Sequence, residues 1–336
     1  CREGRCQRHP QKPAHALVAT EDARLQLVRR RIHLVRELED LFARVARAGP
    51  GPVAAARLQG LGARVVTIQP PSGDPLRHQL PELFEHLHRG QEVLSLDLKS
   101  DEGRDRLEGL LEGADLLLSS SRAGALRRLG LDFASVHPRH PGLCQVDLVG
   151  FPGDHADRPG HDLSFQAGAG LLDPDRLPRT LSADMHGAEQ AVSAALTLLL
   201  SRERHGTRGP DGRWASGGGH EQTALSEAAL DLALPVRWGM TGPESPLGGA
   251  SPYYRIYPAA QGHVALAALE PHFVQALVGL GLDPQGDVPE QLTRILAERT
   301  AQEWEDWAAR VGAPLTALAE PVRPGPSPDR PESGAP

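Results

Sequence analysis

Short apolar runs alternate with helical segments between residues 48 and 151, and this alternation limits the possible folds more than any other feature. A Gly/Pro turn leads into a helix that stops at Gly60 or Gly62, and a strand follows over 64–68. Further strands are predicted for EVLSLDLK (92–99), DLLLSS (115–120) and GLCQVDLVGF (142–151), with helices at 101–114 and 122–131. Alternating strands and helices predict a parallel sheet. The sequence therefore predicts an α/β, Rossmann-like domain with its ligand crevice at the C-terminal ends of the strands.

The remaining segments predict additional helices and a smaller α+β domain. Residues 21–47 and 220–236 are expected to be helical, and Ala188–Arg202 has the strongest helical pattern. The Gly-rich stretch 205–220 is expected to be a flexible linker. In the last third of the chain, the pattern predicts a hairpin over 253–269 that turns at Gln261 and Gly262, and helices over 271–280 and 288–311.

These segments define five expected regions. They are a disordered basic N-terminus (1–20), a large Rossmann-like domain (21–204), a linker with a helix (205–246), a small domain (247–320) and a Pro-rich disordered tail (321–336).

Composition and charge narrow the class of protein. The net charge of −7 argues against general nucleic-acid binding. No apolar run reaches the roughly 18 residues that a membrane span needs, and the N-terminus lacks a signal-peptide core. Three cysteines, Cys1, Cys6 and Cys144, cannot form a disulfide framework. Cys1 and Cys6 with His9 fit no zinc spacing, so no metal is expected. A cytoplasmic protein without nucleic-acid or membrane partners is predicted.

Two residues between 159 and 200 could carry proton-transfer chemistry. His161 follows a glycine in PGHDLSF, and Asp184 opens a long apolar helix in RTLSADMHGAEQAVSAALTLLL. One imidazole and one carboxylate at the ends of structural elements could supply two opposed proton-transfer groups. Each residue also has a purely structural interpretation. Asp184 could simply cap its helix, and His161 could be an exposed loop residue.

Four local motifs follow one another along the chain: AGPGPVAAARLQGLGARVVTIQPPSGDPLR, LHRGQEVLSLDLKSDEGR, SSSRAGALRRLGLDFASVHPRHPGL and LGGASPYYRIYPAAQGHVALAALEPHF. Their order resembles the class III CoA-transferase family, also called CaiB/BaiF, which includes α-methylacyl-CoA racemases. The similarity extends from about residue 48 to residue 318. The resemblance implies an interlocked homodimer with active sites between a large and a small domain. It implies an acyl-CoA substrate, with CoA present only as part of that substrate and no separate cofactor.

The resemblance also implies roles for individual residues. Asp184 matches the catalytic carboxylate of both transferases and racemases. PGHDLSF resembles the racemase motif GHDINY, whose histidine corresponds to His161, whereas transferases more often have tyrosine there. Glu270 matches a glutamate that approaches the catalytic histidine from the small domain. A solvated residue at a helix start is an equal alternative for Glu270.

Further residues are expected to contact the CoA thioester. Arg77, Arg89 and Arg122 match basic family positions near the phosphates or the adenine, and the planar guanidinium suits phosphate oxygens. Gly160 and Asp162 flank His161 and complete this set. Asp162 could instead orient the turn or cap a helix.

Three functions remain open from the sequence. The first is racemisation at Cα of a 2-methylacyl-CoA by His161 and Asp184. The second is transfer of CoA between carboxylic acids through an acyl anhydride on Asp184. The third is a non-catalytic homologue that binds acyl-CoA or only dimerises. The third is motivated by a helical, charged pattern at 34–47 in place of the family's first strand, and by Gln69 and Gln91 at charged family positions.

Overall fold

The computed structural model describes residues 33–37 and 49–320. The chain divides into two compact units, Cys1–Ala233 and Leu234–Pro336. The predicted disordered ends and the residues Cys1, Cys6 and His9 lie outside the described residues. Within the described part of the chain, no helix is both long and apolar enough to cross a membrane.

Unit 1 contains a six-stranded, fully parallel sheet in the order β3-β2-β1-β4-β5-β6. Its strands are β1 (His33–Glu37), β2 (Arg64–Gln69), β3 (Glu92–Ser95), β4 (Leu116–Ser119), β5 (Cys144–Val149) and β6 (His220–Ala224). The strand order reverses between β1 and β4, and in open α/β sheets ligands generally bind outside the C-terminal ends of the strands at such a point. The prediction of a Rossmann-like α/β fold is confirmed.

Helices cover both faces of this sheet. They are α1 (Pro50–Gly60), α2 (Pro75–Gln79), α3 (Pro81–His88), α4 (Asp101–Leu111), α5 (Ala123–Leu129), α6 (Phe133–Val136), α7 (Asp162–Ala169), α8 (Ser182–His205) and α9 (Leu225–Leu232). One apolar core joins α1 and α8 to one face of β5 through Cys144, Val146 and Leu148. A second core on the opposite face includes Leu107 and Leu111 of α4. Successive side chains of a strand point to opposite faces of the sheet, so a buried strand contributes apolar side chains to both cores.

The helix predicted over 21–47 is wrong at residues 33–37, which form β1. This segment pairs in parallel with both β2 and β4, so it occupies the centre of the sheet. Pairing on two sides satisfies its backbone groups, and this tertiary arrangement overrides local helix propensity. The family's first strand is therefore present, which removes one motive for a non-catalytic interpretation.

The region 205–224 also differs from its prediction. Residues 220–224 form β6 instead of a helix, because they extend the sheet alongside β5. The preceding Gly-rich stretch is held by specific contacts instead of forming a free linker. Its Trp214 ring lies 4.8 Å from the guanidinium of Arg202, and the Gly218 amide donates to the Pro141 carbonyl at 2.9 Å. A Cβ at Gly218 would lie 2.3 Å from the Leu143 carbonyl oxygen, so only glycine fits this approach.

Unit 2 is a small α+β unit. It contains a three-stranded antiparallel sheet in the order β7-β8-β9, with β7 (Tyr254–Pro258), β8 (His263–Ala267) and β9 (Leu315–Ala317). Its helices are α10 (Leu234–Arg237), α11 (Pro271–Val278), α12 (Val288–Leu296) and α13 (Ala301–Val311). The predicted hairpin is confirmed, with Gly262 at φ 83° in its turn. The single helix predicted over 288–311 is wrong, because Thr300 and Glu303 form a capping box that starts a separate helix.

Candidate active site

The long helix α8 fixes the position of Asp184. Asp184 lies in the first turn of α8, and the N-cap residue Leu181, just before the helix, makes no side-chain capping hydrogen bond. The buried side of the first half of the helix is rich in small residues, including Ala188 and Ala191. A Cβ at Gly187 would lie 2.4 Å from the Leu225 side chain. Because these residues let α8 pack closely on α9, the half-buried Asp184 carboxyl is held in a defined place.

Asp162 joins the start of α7 to the start of α8. Its buried carboxylate accepts a hydrogen bond from the Asp184 amide at 3.0 Å through Oδ1. The Gln166 side chain, one turn later on α7, donates to Asp162 Oδ2. The same amide nitrogen of Gln166 also donates to the Thr180 carbonyl at 3.2 Å. Asp162 therefore acts as a cap for α8 supplied by a neighbouring helix.

This arrangement changes the protonation of Asp184. Burial raises the pKa of the Asp184 carboxyl to about 7, and the negative charge of Asp162 adds to that rise. The start of a helix stabilises a carboxylate and opposes this effect, but desolvation is the larger influence here. Asp184 is therefore present as both acid and carboxylate near neutral pH, as a general acid–base group requires.

His161 lies at the start of the neighbouring helix. It is the N-cap residue of α7, and its backbone amide donates to Ser164 Oγ at 2.9 Å. Its side chain is exposed and lines a cavity of about 780 Å³. Since Asp162 directly follows His161 and binds the Asp184 amide, the structure brings His161 and Asp184 to adjacent helix N-termini.

Gly160 also lines this cavity. A Cβ at Gly160 would lie 2.5 Å from the Phe165 ring, so this position requires glycine for the turn to pack against α7. The expected contacts of Gly160 and Asp162 with the CoA thioester stay predictions. Both oxygens of Asp162 are occupied within the protein, which favours the turn-orienting interpretation for this residue.

The three arginines assigned to CoA are exposed in unit 1. The Arg77 guanidinium lies 4.6 Å from the centre of the Phe84 ring, which supports it from one side. The Arg89 carbonyl accepts from the Gln59 side chain at 2.7 Å. Arg122 is the N-cap residue of α5, shortly after the C-terminal end of β4. Their role in phosphate binding stays a prediction.

Glu270 lies in unit 2, where it is the exposed N-cap residue of α11. Its predicted contact with His161 stays a prediction.

Gln69 and Gln91 have structural partners in unit 1. The Gln69 side chain donates to Ser95 Oγ at 2.9 Å. The Gln91 side chain accepts from Thr67 Oγ1 at 2.7 Å and donates to the Leu87 carbonyl at 2.9 Å. These amides link β2 to β3 and to the segment before it, so their presence does not by itself indicate a lost function.

Sequence reasoning missed two parts of the site. Gln166 holds both Asp162 and the end of the following loop, and its position four residues after Asp162 on a helix was a usable signal. The loop 171–181 forms a wall of the cavity through Leu172 and Leu177. Nothing in its sequence shows that it folds back toward His161.

Comparison with known proteins identifies the family. The model of CoA-transferase family III matches residues 43–323, which is most of the chain. This protein belongs to CoA-transferase family III. The family comprises enzymes that act on acyl-CoA, so the chain is an enzyme of that type.

Individual relatives represent different reactions within the family. Human alpha-methylacyl-CoA racemase is 28% identical over 278 residues, covering 76% of this chain and 70% of the racemase. The succinyl-CoA:(R)-benzylsuccinate CoA-transferase subunit BbsE of Thauera aromatica is 31% identical over 244 residues, covering 65% of this chain and 57% of that subunit. Among solved structures, a CaiB/BaiF family protein from Brucella suis superimposes with a TM-score of 0.68 at 24% identity, covering 86% of this chain and 83% of that one. This structural similarity supports the fold.

Proposed function

We propose that this protein racemises 2-methylacyl-CoA thioesters by moving a proton at Cα between His161 and Asp184. The observation that carries the proposal is the state of Asp184, whose pKa is raised to about 7 by burial and by Asp162. A structural helix cap would favour a lowered pKa. A carboxyl group that titrates near neutrality, at a helix N-terminus adjacent to that of a histidine, suits two-base proton transfer.

The proton transfers balance between the two residues. In one direction, neutral His161 removes the Cα proton and the C–H electron pair moves onto the thioester oxygen as an enolate. Protonated Asp184 then donates its proton to the opposite face of Cα. The reverse direction uses the Asp184 carboxylate as base and the His161 imidazolium as acid. Proton exchange with solvent restores the starting protonation states.

Other groups support this reaction in the proposal. Arg77, Arg89 and Arg122 bind the CoA moiety, and Glu270 orients the His161 imidazole. A backbone amide at the start of α8 would stabilise the enolate oxygen. The Asp184 amide already donates to Asp162, so another first-turn amide would have to serve. The protein would act as a cytoplasmic, interlocked homodimer, with CoA entering only as part of the substrate.

Exchange of the Cα proton tests this proposal. The purified protein is incubated with (R)-2-methyldecanoyl-CoA in D₂O, and Cα is followed by NMR and mass spectrometry. Deuterium at Cα with formation of the S epimer is expected. His161→Ala and Asp184→Ala should each lower the exchange rate by about 10²–10⁴-fold. His155→Ala, which changes an exposed histidine in a nearby turn, should retain the rate. Absence of exchange in the unchanged protein would reject the racemase.

The second candidate is CoA transfer, and the similarity to the Thauera aromatica transferase subunit favours it. Asp184 would attack the thioester carbonyl, forming an anhydride bond as the C–S bond breaks and CoA leaves as thiolate. The thiolate would then attack the Asp184 carbonyl of this anhydride, which releases the donor acid and leaves CoA on Asp184 as a thioester. An acceptor carboxylate would attack that thioester and free the CoA thiolate, which attacks the acceptor carbonyl of the new anhydride, gives the acceptor thioester and regenerates Asp184. Hydroxylamine should then trap acylated Asp184, kinetics should be ping-pong, and His161→Ala should keep substantial activity. Loss of all activity in His161→Ala would argue against this candidate.

A further inference from the structure

We propose that the cavity beside His161 accepts an uncharged, apolar acyl chain and discriminates against acyl groups with a second carboxylate. This inference rests on the proposed function and names the substrate class of the same site. The cavity of about 780 Å³ lies within the roughly 300–1,000 Å³ range of pockets that bind small molecules.

The wall of the cavity is largely apolar. Leu163 and Ala167 come from α7, and Leu172 and Leu177 come from the loop 171–181. The side chain of Leu177 is 79% exposed and that of Leu163 is 45% exposed. Large apolar side chains that stay exposed beside a catalytic residue are best covered by apolar ligand surface. An acyl chain attached to a thioester at His161 would supply that surface.

The charged residues of the cavity favour the same class of ligand. Asp173 and Asp175 contribute two negative charges, whereas Arg176 contributes one positive charge. Arg176 alone could pair with a substrate carboxylate. With both aspartates in the same wall, the net charge is negative and repels an additional carboxylate. An uncharged chain avoids this repulsion.

The loop that carries these residues is organised before a ligand binds. The Asp175 amide donates to Asp173 Oδ1 at 3.1 Å, and the Arg176 amide donates to the Asp173 carbonyl at 3.2 Å. These two bonds define a tight turn. The end of the loop is fixed where the Thr180 carbonyl accepts from Gln166. Gln166 also donates to Asp162, so one side chain holds both the end of this loop and the carboxylate that lies beside Asp184.

A comparison of three thioesters that share an α-methyl group tests the inference. Cα deuterium exchange is measured with 2-methyldecanoyl-CoA, 2-methylbutanoyl-CoA and 2-methylsuccinyl-CoA. The expected order of kcat/KM is decanoyl, then butanoyl, then succinyl. The first should exceed the last by at least about tenfold, since apolar contacts and charge repulsion act in the same sense.

Two exposed positions allow variants that should fold normally. Leu177→Ala should lower kcat/KM for the long chain by about tenfold and leave the short chain almost unchanged. Asp175→Lys should raise the rate for 2-methylsuccinyl-CoA relative to the long chain by roughly tenfold. Asp105→Lys, the same change on the exposed surface of α4, is the matched control and should leave the ratio unaltered.

The possible results separate this inference from the proposed reaction. Exchange with all three thioesters at equal rates, or faster exchange with 2-methylsuccinyl-CoA, would overturn the substrate class and leave the racemase intact. If none of the three exchanges, the racemase fails, and the thermal shift caused by each thioester decides the inference. A larger shift with the long chain than with 2-methylsuccinyl-CoA would support it, and equal shifts would overturn it.

Discussion

Two pairs of ionisable side chains lie partly or fully buried in the same unit, and they behave in opposite ways. Arg202 pairs with Asp115 at 2.7 Å and also donates to the Gly142 carbonyl at 2.7 Å. Asp162 and Asp184 are both acidic, and the charge of one raises the pKa of the other. Opposite charges compensate each other's desolvation, whereas like charges do not. The first pair is suited to stabilising the fold, whereas the second raises the pKa of Asp184 into the neutral range.

Removing Arg202 should produce the largest stability effect in this comparison. Arg202→Met leaves the Asp115 carboxylate without its partner and removes the donor to Gly142. We expect a loss of about 3–5 kcal/mol in the free energy of unfolding, measured by urea denaturation. Arg104→Met is the matched control because its partner Asp101 and Arg104 itself are exposed, and it should cost less than about 1 kcal/mol. Equal losses in the two variants would contradict the structural role assigned to Arg202.

Removing the charge of Asp184 should increase the free energy of unfolding instead of lowering it. Because its folded pKa of about 7 exceeds the ordinary value of 3.8, the folded state binds more protons than the unfolded state between these limits. Stability due to this group therefore falls as pH rises from about 4 to about 7. Asp184→Asn should stabilise the protein by about 1–3 kcal/mol at pH 8 and by almost nothing at pH 4.

Thermal or urea unfolding at both pH values measures this difference. A gain of the same size at pH 4 and pH 8 would show that ionisation of Asp184 is not its source. A loss of stability at pH 8 would show that Asp184 acts mainly as a structural cap.

The smallest expected effect is a shift in the pH dependence of kcat when the charge of Asp162 is removed. Asp162→Asn keeps an oxygen that can accept from the Asp184 amide but removes the negative charge. In the direction in which Asp184 removes the proton, the rise of kcat with pH should move to lower pH by roughly one pH unit. A pH–rate profile of Cα exchange measures this shift. If kcat falls equally at every pH and the midpoint of the profile does not move, Asp162 positions the backbone but does not set the pKa of Asp184.

Local patterns in the sequence determined much of this protein. The short apolar runs of β2, β4 and β5, alternating with helical segments, predicted a parallel sheet flanked by helices, because strands that are buried on both faces require such runs. The motif around His161 and the order of the family's segments predicted the acyl-CoA chemistry. The hairpin that turns at Gln261 and Gly262 could also be predicted from the sequence, since glycine readily adopts the positive φ that its turn requires.

Tertiary structure decided the features that depend on distant partners. Residues 33–37 became a central strand only because β2 and β4 pair with them, and residues 220–224 became a strand only because β5 offers a free edge. The raised pKa of Asp184 follows from its burial beside Asp162. The apolar wall at Leu177 follows from the path of a loop. Pairing, burial and loop path join residues far apart in the chain, and local sequence patterns do not encode them.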